Sequence, residues 1–353
     1  MNPTSQPDPI RIGVCGLGYG LEHISRLLSS PSSAFVRVEA ICDSRADRLR
    51  MASSRLGITA YSDLSSMMAG APIEAVALFT GPSGRARLIR EVIHAGKHVM
   101  TTKPFELDAR EGLEVLEEAR RIGRVVFINS PAPVLGQDIQ VIRSWRDKHS
   151  LGRLIFSLCD CWYSSWEKAD GTWYDDPKLC PAAPIFRIGI YGINDILSIA
   201  DDELAELQVL QSRVRTGRPT PDVAQLSLRF SGGSMATVRA SWCCDPVRDN
   251  QASEFVFERG VIRRTYSTPY HWTATQTVLK LEAVDAQGKI FEDTAVVSNQ
   301  YTNSAYRWDL FHAAVRGTLT EPIFPPERLV GGIRVIEIMK KALENGGVWR
   351  SEP

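Results

Sequence analysis

An excess of charge of either sign is what this 353-residue sequence lacks: 41 Lys and Arg balance 41 Asp and Glu, for a formal net charge of zero. Proteins that work on nucleic acid or on anionic membranes carry a basic excess or a basic stripe. Neither is present, so a small-molecule ligand is expected, with no nucleic-acid and no membrane partner. Paired cysteine motifs are missing as well. Cys15, Cys42, Cys159, Cys161, Cys180, Cys243 and Cys244 show no CxxC pair and no regular spacing, which excludes a disulfide framework. No metal is expected either: Cys159-x-Cys161 alternates within an apolar run, as on one face of a strand, and Cys243-Cys244 has no nearby His. No stretch approaches the ~20 apolar residues of a membrane span. The opening MNPTSQPDP has no apolar core, so residues 1–9 are expected to be a disordered lead, and the protein cytoplasmic with reduced thiols.

What is present is 44% hydrophobic and 23% charged residues, the balance of a globular chain, and a length that suggests about two domains. Residues 10–130 alternate short β-branched runs with amphipathic stretches, the signature of βαβ units on a parallel sheet. Strands are predicted over 10–15, 36–42, 74–80, 98–101 and 125–129, and helices over 21–28, 45–56, 83–95 and 109–122. The last helix opens on a capping box, Asp108-x-x-Glu111, and stops at Gly123. Residues 131–353 change character. Alternating runs such as 225–230 and 235–242, with turn signals at Gly232-Gly233, Arg259-Gly260 and Gln287-Gly288, predict a largely antiparallel, open-faced sheet, with helices over 186–200, 303–316 and 327–343. The predicted fold class is an N-terminal Rossmann doubly wound α/β domain followed by an α+β domain, whose last helices are free to pack back on the first.

Gly16-Leu17-Gly18-Tyr19-Gly20 follows the strand IRIGVC and leads into a helix. Glycines suit a turn where backbone approaches a pyrophosphate at a helix N-terminus. Asp43 ends the second strand, where an acidic side chain accepts hydrogen bonds from an adenosine ribose. Ser44 and Arg45 follow it and could hold a 2′-phosphate instead, so the expected cofactor is NAD(P), with NAD slightly favoured. Lys103 precedes Pro104, which biases its backbone toward extended conformation. It leaves the C-terminal end of a predicted parallel strand, where open α/β sheets bind ligands. On the helix over 186–200, Phe186, Ile190, Ile193 and Leu197 form one stripe, while Arg187, Tyr191, Asn194 or Asp195, and Ser198 share the other face.

The glycine turn, GKHVMTTKP over 96–104, and the Gly189-x-Tyr191 element resemble, in their order and spacing, the Gfo/Idh/MocA family of NAD(P)-dependent oxidoreductases. The resemblance covers nearly the whole chain and matches the tyrosine version seen in glucose-fructose oxidoreductases. It implies that Lys103 lies beside the nicotinamide and that Tyr191 is the acid/base, in an enzyme moving a hydride between the cofactor and a carbinol or carbonyl carbon of a sugar, cyclitol or related polyhydroxy compound. It further implies that Thr80, Gly81 and Pro82 meet the nicotinamide ribose, with Pro104 beside Lys103; the open sheet face separately leads to the expectation of a homodimer or homotetramer. Two positions depart from the family pattern. Thr102 stands where EKP has its glutamate, and Arg187 where D-x-G-x-H/Y has its aspartate; the arginine would suit an acidic substrate group. Arg85 sits near a common family histidine. Asn129, Asn194, Asp195, Trp162 and Trp173 are candidate substrate contacts, with Trp166 and Tyr174 in the same aromatic cluster, whereas His271 and His312 read as structural. A cofactor-binding sensor or subunit without turnover, and a redox-neutral NAD-dependent glycosidase, are the alternative functions.

Overall fold

The structure is a computed structural model and describes residues 8–164, 168–243, 251–267 and 274–351; Trp166, Cys244, His271 and residues 1–7 of the lead lie outside these. The chain divides into two compact units: the residues up to Asn129 together with Tyr306–Leu329, and Ser130–Ala305 together with Val330 onward.

In the first unit the elements run β1 (Ile10–Cys15), α1 (Leu17–Leu28), β2 (Val36–Cys42), α2 (Ala46–Leu56), β3 (Thr59–Tyr61), α3 (Leu64–Gly70), β4 (Ala75–Leu78), α4 (Arg85–His94), β5 (His98–Thr101), α5 (Ala109–Arg121) and β6 (Val126–Ile128). All strand pairs are parallel, in the order β3-β2-β1-β4-β5-β6. The order reverses between β1 and β4, and it is outside the C-terminal ends of strands at such a switch point that open α/β sheets bind ligands. β4 is buried along its whole length, as strands covered on both faces must be. Asp108 caps α5 as expected, its Oδ1 accepting from the backbone N–H groups of Arg110 and Glu111 at 2.9 Å each. Gly123 follows in the left-handed region at φ 68°.

The second unit contains α6 (Gln137–Lys148), β7 (Leu154–Trp162), α7 (Ile190–Ile199), β8 (Leu204–Ser212), β9 (Val223–Phe230), β10 (Met235–Ser241), β11 (Gln251–Phe257), β12 (Gly260–Tyr266), β13 (Gln276–Val284) and β14 (Ile290–Ser298). The chain then supplies α8 (Trp308–Val315) and α9 (Pro326–Leu329) to the first unit and returns with α10 (Gly331–Glu344) and β15 (Val348–Arg350). Nine strands lie in the order β14-β13-β12-β11-β7-β10-β9-β8-β15, all antiparallel except β7 with β10. Burial alternates along β13: Leu279 and Leu281 join a core with Ile139, Ile142 and Phe255, while Lys280 and Glu282 are exposed on the other face. Among the described residues no helix is long and apolar enough to cross a membrane.

Several features differ from the sequence reading, and helix α6 is one element that it did not predict. Strand β3 and helix α3 were not predicted: β3 has three residues, two of them exposed, too short to show a period. Helix α1 begins at Leu17, inside the glycine turn. The helix predicted from Asn303 begins at Trp308, because Asn303 makes tertiary hydrogen bonds in place of capping a helix. The helix predicted over 327–343 breaks at Val330 into α9 and α10.

Candidate functional site

On the first unit, the turn between β1 and α1 meets the exit of β4. Gly16 has φ 92°, and a Cβ there would lie 2.7 Å from the Phe79 carbonyl carbon and 2.8 Å from the Thr80 nitrogen. Any other residue would push these two strand ends apart. At Gly18 a Cβ would lie 3.2 Å from the Arg48 guanidinium, and at Gly20 one would lie 3.3 Å from the Phe79 ring. Asp43 is buried; its Oδ2 accepts the Leu17 N–H at 2.7 Å and its Oδ1 the Arg45 N–H at 2.8 Å. The carboxylate thus ties the end of β2 to the start of α1, and Oδ1, which accepts from the Arg45 N–H, has a second lone pair to offer a hydroxyl. Ser44 is exposed. The exposed Arg45 fork lies on the Asp47 carboxylate at 2.7 Å, and Arg48 reaches Asp43 at 3.4 Å.

Tyr19, in the first turn of α1, is 44% exposed and meets the Phe79 ring edge-on at 5.7 Å. Behind it His23 packs against Phe79 at 4.8 Å and Tyr306 at 4.2 Å. Burial, with a smaller push from Arg26, lowers the His23 pKa to about 4. The neutral ring is therefore part of the aromatic packing under the turn. Thr80 and Pro82 follow β4, where the Gly16 approach requires bare backbone.

Lys103 and Pro104 follow β5 directly. The Lys103 backbone N–H donates to Asn129 Oδ1 at 2.9 Å, so Asn129, itself buried, holds the lysine loop from the end of β6. Arg85 is 1% exposed. Its Nη1 donates to the Thr102 carbonyl at 2.6 Å and the Pro104 carbonyl at 2.8 Å, with Thr101 Oγ1 at 3.4 Å, and its Nη2 donates to the Thr80 carbonyl. Glu106, also buried, accepts the Ala86 N–H at the start of α4 at 2.8 Å.

On the second unit, Ile185–Gly189 forms one π-helical turn, with the Ile190 N–H bonded to the Ile185 carbonyl, before α7 continues. Glycines let this segment lie flat on the sheet: a Cβ at Gly192 would be 2.8 Å from the Cys159 Cβ. Cys159 and Cys161 share one face of β7 as the alternation predicted, the face that meets Gly192 of α7, and burial pushes the Cys159 thiol up to about 12, so it stays a neutral packing group. Tyr191 lines a small polar cavity with Asp138, Asp195, Arg264, Tyr266 and Thr302. Arg264 Nη1 donates to Asp138 Oδ2 at 2.7 Å and Nη2 to Asp195 Oδ2 at 2.5 Å. Asn303 completes the knot, its backbone N–H on Asp138 Oδ1 at 2.8 Å and its amide on Asp195 Oδ1 at 2.9 Å. Burial pushes the Asp138 carboxyl up, and the Arg264 charge pulls against it.

The neighbouring candidates have other surroundings. Asn194 is buried, its amide on Ser130 Oγ at 3.0 Å. The Arg187 guanidinium lies among three rings, 5.4 Å from the Trp242 centroid, 5.5 Å from Tyr174 and 5.7 Å from Tyr163. Trp162 ends β7, half-buried, and Trp173 stacks on Tyr174 at 4.0 Å. This aromatic loop is anchored by buried Arg218, which donates to Asp175 Oδ1 at 3.0 Å and the Lys168 carbonyl at 2.8 Å. Of the residues predicted from sequence, the structure brings Gly16, Asp43, Thr80 and Lys103 to the strand ends of one sheet, and Tyr191 and Asp195 to one cavity. Sequence reasoning missed Asp138, Arg218, Arg264 and Asn303, whose partners are remote along the chain; the acidic first turn after Gly136 was the one local signal.

Two family profiles match the chain. One, described as an oxidoreductase family with an NAD-binding Rossmann fold, covers residues 10–130, and the other, the GFO/IDH/MocA C-terminal domain, covers residues 139–263. The chain belongs to the Gfo/Idh/MocA family. Among its relatives, an inositol 2-dehydrogenase/D-chiro-inositol 3-dehydrogenase of Lactiplantibacillus plantarum is 26% identical over 35% of this chain and 37% of its own length. The oxidoreductase YdgJ of Escherichia coli is 22% identical over 57% and 58%. The chain thus spans from about a third to about half the length of these relatives. Solved Gfo/Idh/MocA structures share the fold: aldose-aldose oxidoreductase from Caulobacter crescentus, complexed with glycerol, has a TM-score of 0.74 at 18% identity over 97% of this chain and all of its own. The WlbA dehydrogenase from Bordetella pertussis, in complex with NADH and UDP-GlcNAcA, has 0.72 at 17% over 98% and 99%.

Proposed function

We propose that the protein is an NAD(P)-dependent oxidoreductase that moves a hydride between the nicotinamide and a carbinol or carbonyl carbon of a sugar, cyclitol or related polyhydroxy compound. The observation that carries this reading is the cradle at Gly16, where a Cβ would strike the Phe79–Thr80 backbone, together with Asp43 at the end of β2 and Lys103 at the end of β5. These residues fit a dinucleotide: backbone for the pyrophosphate, a carboxylate for the ribose hydroxyls and an ammonium for the reacting oxygen. When bound, the nicotinamide supplies the hydride acceptor or donor. Lys103 polarises the substrate oxygen and stabilises negative charge developing on it. Tyr191 takes the hydroxyl proton during oxidation and returns it during reduction. We assign cofactor binding to residues 10–130 and substrate binding and oligomerisation, as a cytoplasmic homodimer or homotetramer, to residues 131–353.

NAD is favoured slightly over NADP because the Arg45 fork already engages Asp47 and Asp43 presents a carboxylate to the ribose edge. An acidic group on the substrate is the finer reading of Arg187, whose charge is held among rings that also suit a sugar face. The test is a fluorescence titration with NADH and NADPH, followed by absorbance at 340 nm against neutral sugars, uronic acids and cyclitols. Lys103→Met and Tyr191→Phe are each expected to lower kcat by about 10²-fold or more; undiminished turnover in either would remove that residue from the mechanism.

A further inference from the structure

We infer that Arg85 is the positioning residue for Lys103, a single guanidinium plate that locks the lysine loop to the loop after β4. The inference rests on the proposed role of Lys103. Lys103 has its N–H held by Asn129, while the carbonyls of the residues on either side, Thr102 and Pro104, both accept from one nitrogen, Arg85 Nη1. With the backbone fixed before and after the Cα, the point and direction from which the side chain departs, its Cα–Cβ bond, are set before any ligand arrives. The other nitrogen, Nη2, binds the Thr80 carbonyl, at the strand end that Gly16 approaches. The two nitrogens belong to one planar, rigid group, so the spacing of the two loops is set by the width of a guanidinium. A lysine ammonium is a single point at the end of a flexible stem and cannot span two loops in this way. Arg85 itself is immobilised by its place at the start of α4 and by burial. Thr102 contributes through its backbone carbonyl, so this hold on the loop does not depend on the glutamate side chain that the chain lacks at this position.

The test replaces Arg85 by Lys and, separately, by Gln in the full chain. Amine reactivity of Lys103 is followed by acetylation and peptide mass spectrometry, with Lys97 and Lys168 as internal references. Released from its clamp, Lys103 is expected to change its acetylation rate about tenfold while the reference lysines stay within about twofold. On an active polyol, kcat falls by about 10²-fold with KM within about threefold, since a misplacement near 1 Å carries a penalty of that size. An unchanged Lys103 rate in either folded variant overturns the inference. So does a rate change shared by all three lysines, or failure of both variants to fold, since each marks Arg85 as a general packing residue. The labelling reads the loop whether or not a substrate is found, so a wild-type protein that oxidises no polyol counts against the proposed function and leaves this inference to the acetylation data.

Discussion

Arg85 in the first unit and Arg264 in the second are both largely enclosed by protein, yet one is held by carbonyls of two loops and the other by two carboxylates and a serine hydroxyl. Carbonyl oxygens give a guanidinium direction, while carboxylates give it charge balance. The difference extends to the surroundings. In the first unit, buried polar groups such as Asn129, on the Lys103 N–H, and His23, among rings, meet backbone or aromatic neighbours. The second knots them together: Asp138, Asp195, Arg264 and Asn303 form one network, and Asp175 with Arg218 another. A polar group buried alone can be altered with local consequences, whereas a network member strands its partners.

The largest expected effect tests the knot. Arg264→Met leaves Asp138 and Asp195 without their shared counter-charge, and a loss of about 3–5 kcal/mol in urea unfolding is expected. Adding Asp138→Asn should recover part of that loss, because one of the two stranded charges is then removed. Wild-type stability in Arg264→Met would erase the distinction between the units. His23 sharpens the other side. Its folded pKa lies near 4 against an ordinary value of 6.5, so between these values the unfolded chain binds the extra proton. The stabilisation is complete above pH 6.5 and is lost as pH falls toward 4, by about 3 kcal/mol. In His23→Gln the loss of stability between pH 7 and 4 should be smaller by about that amount; an identical pH dependence would show that the ring is not held neutral. The smallest effect is a surface control. Asp108→Ala removes the cap of α5 and should destabilise by about 1 kcal/mol, measured by thermal unfolding at neutral pH.

Legibility in the sequence followed the range of the interaction. β1, β2 and β5 run between the residues that the hydrophobic runs predicted, because short runs rich in β-branched and apolar residues mark strands locally. Gly16, Asp43 and Lys103 were visible because each sits where a strand ends, and strand ends are local. The helix expected from Asn303 starts only at Trp308, and only the fold shows the Asn303 amide on Asp195. The roles of Asp138 and Arg264 were not readable at all: they lie 126 residues apart, and nothing in either neighbourhood announces the other. The π-helical turn at Ile185–Gly189 is likewise set by packing on β10 and leaves no mark in the periodicity.

The chain leaves the first unit after Asn129 and re-enters it only for Tyr306–Leu329. In that return Tyr306 packs against His23 at a tilt, and Phe311 meets Phe127 edge-on. Consequently no single cut of the polypeptide separates the units. During synthesis the nucleotide-fold half must wait, its aromatic column unfinished, until residue 329 has cleared the ribosome. Gene truncation near residue 130 would keep all six strands of the first sheet but lose α8 and α9, leaving the unit without part of its helical cover.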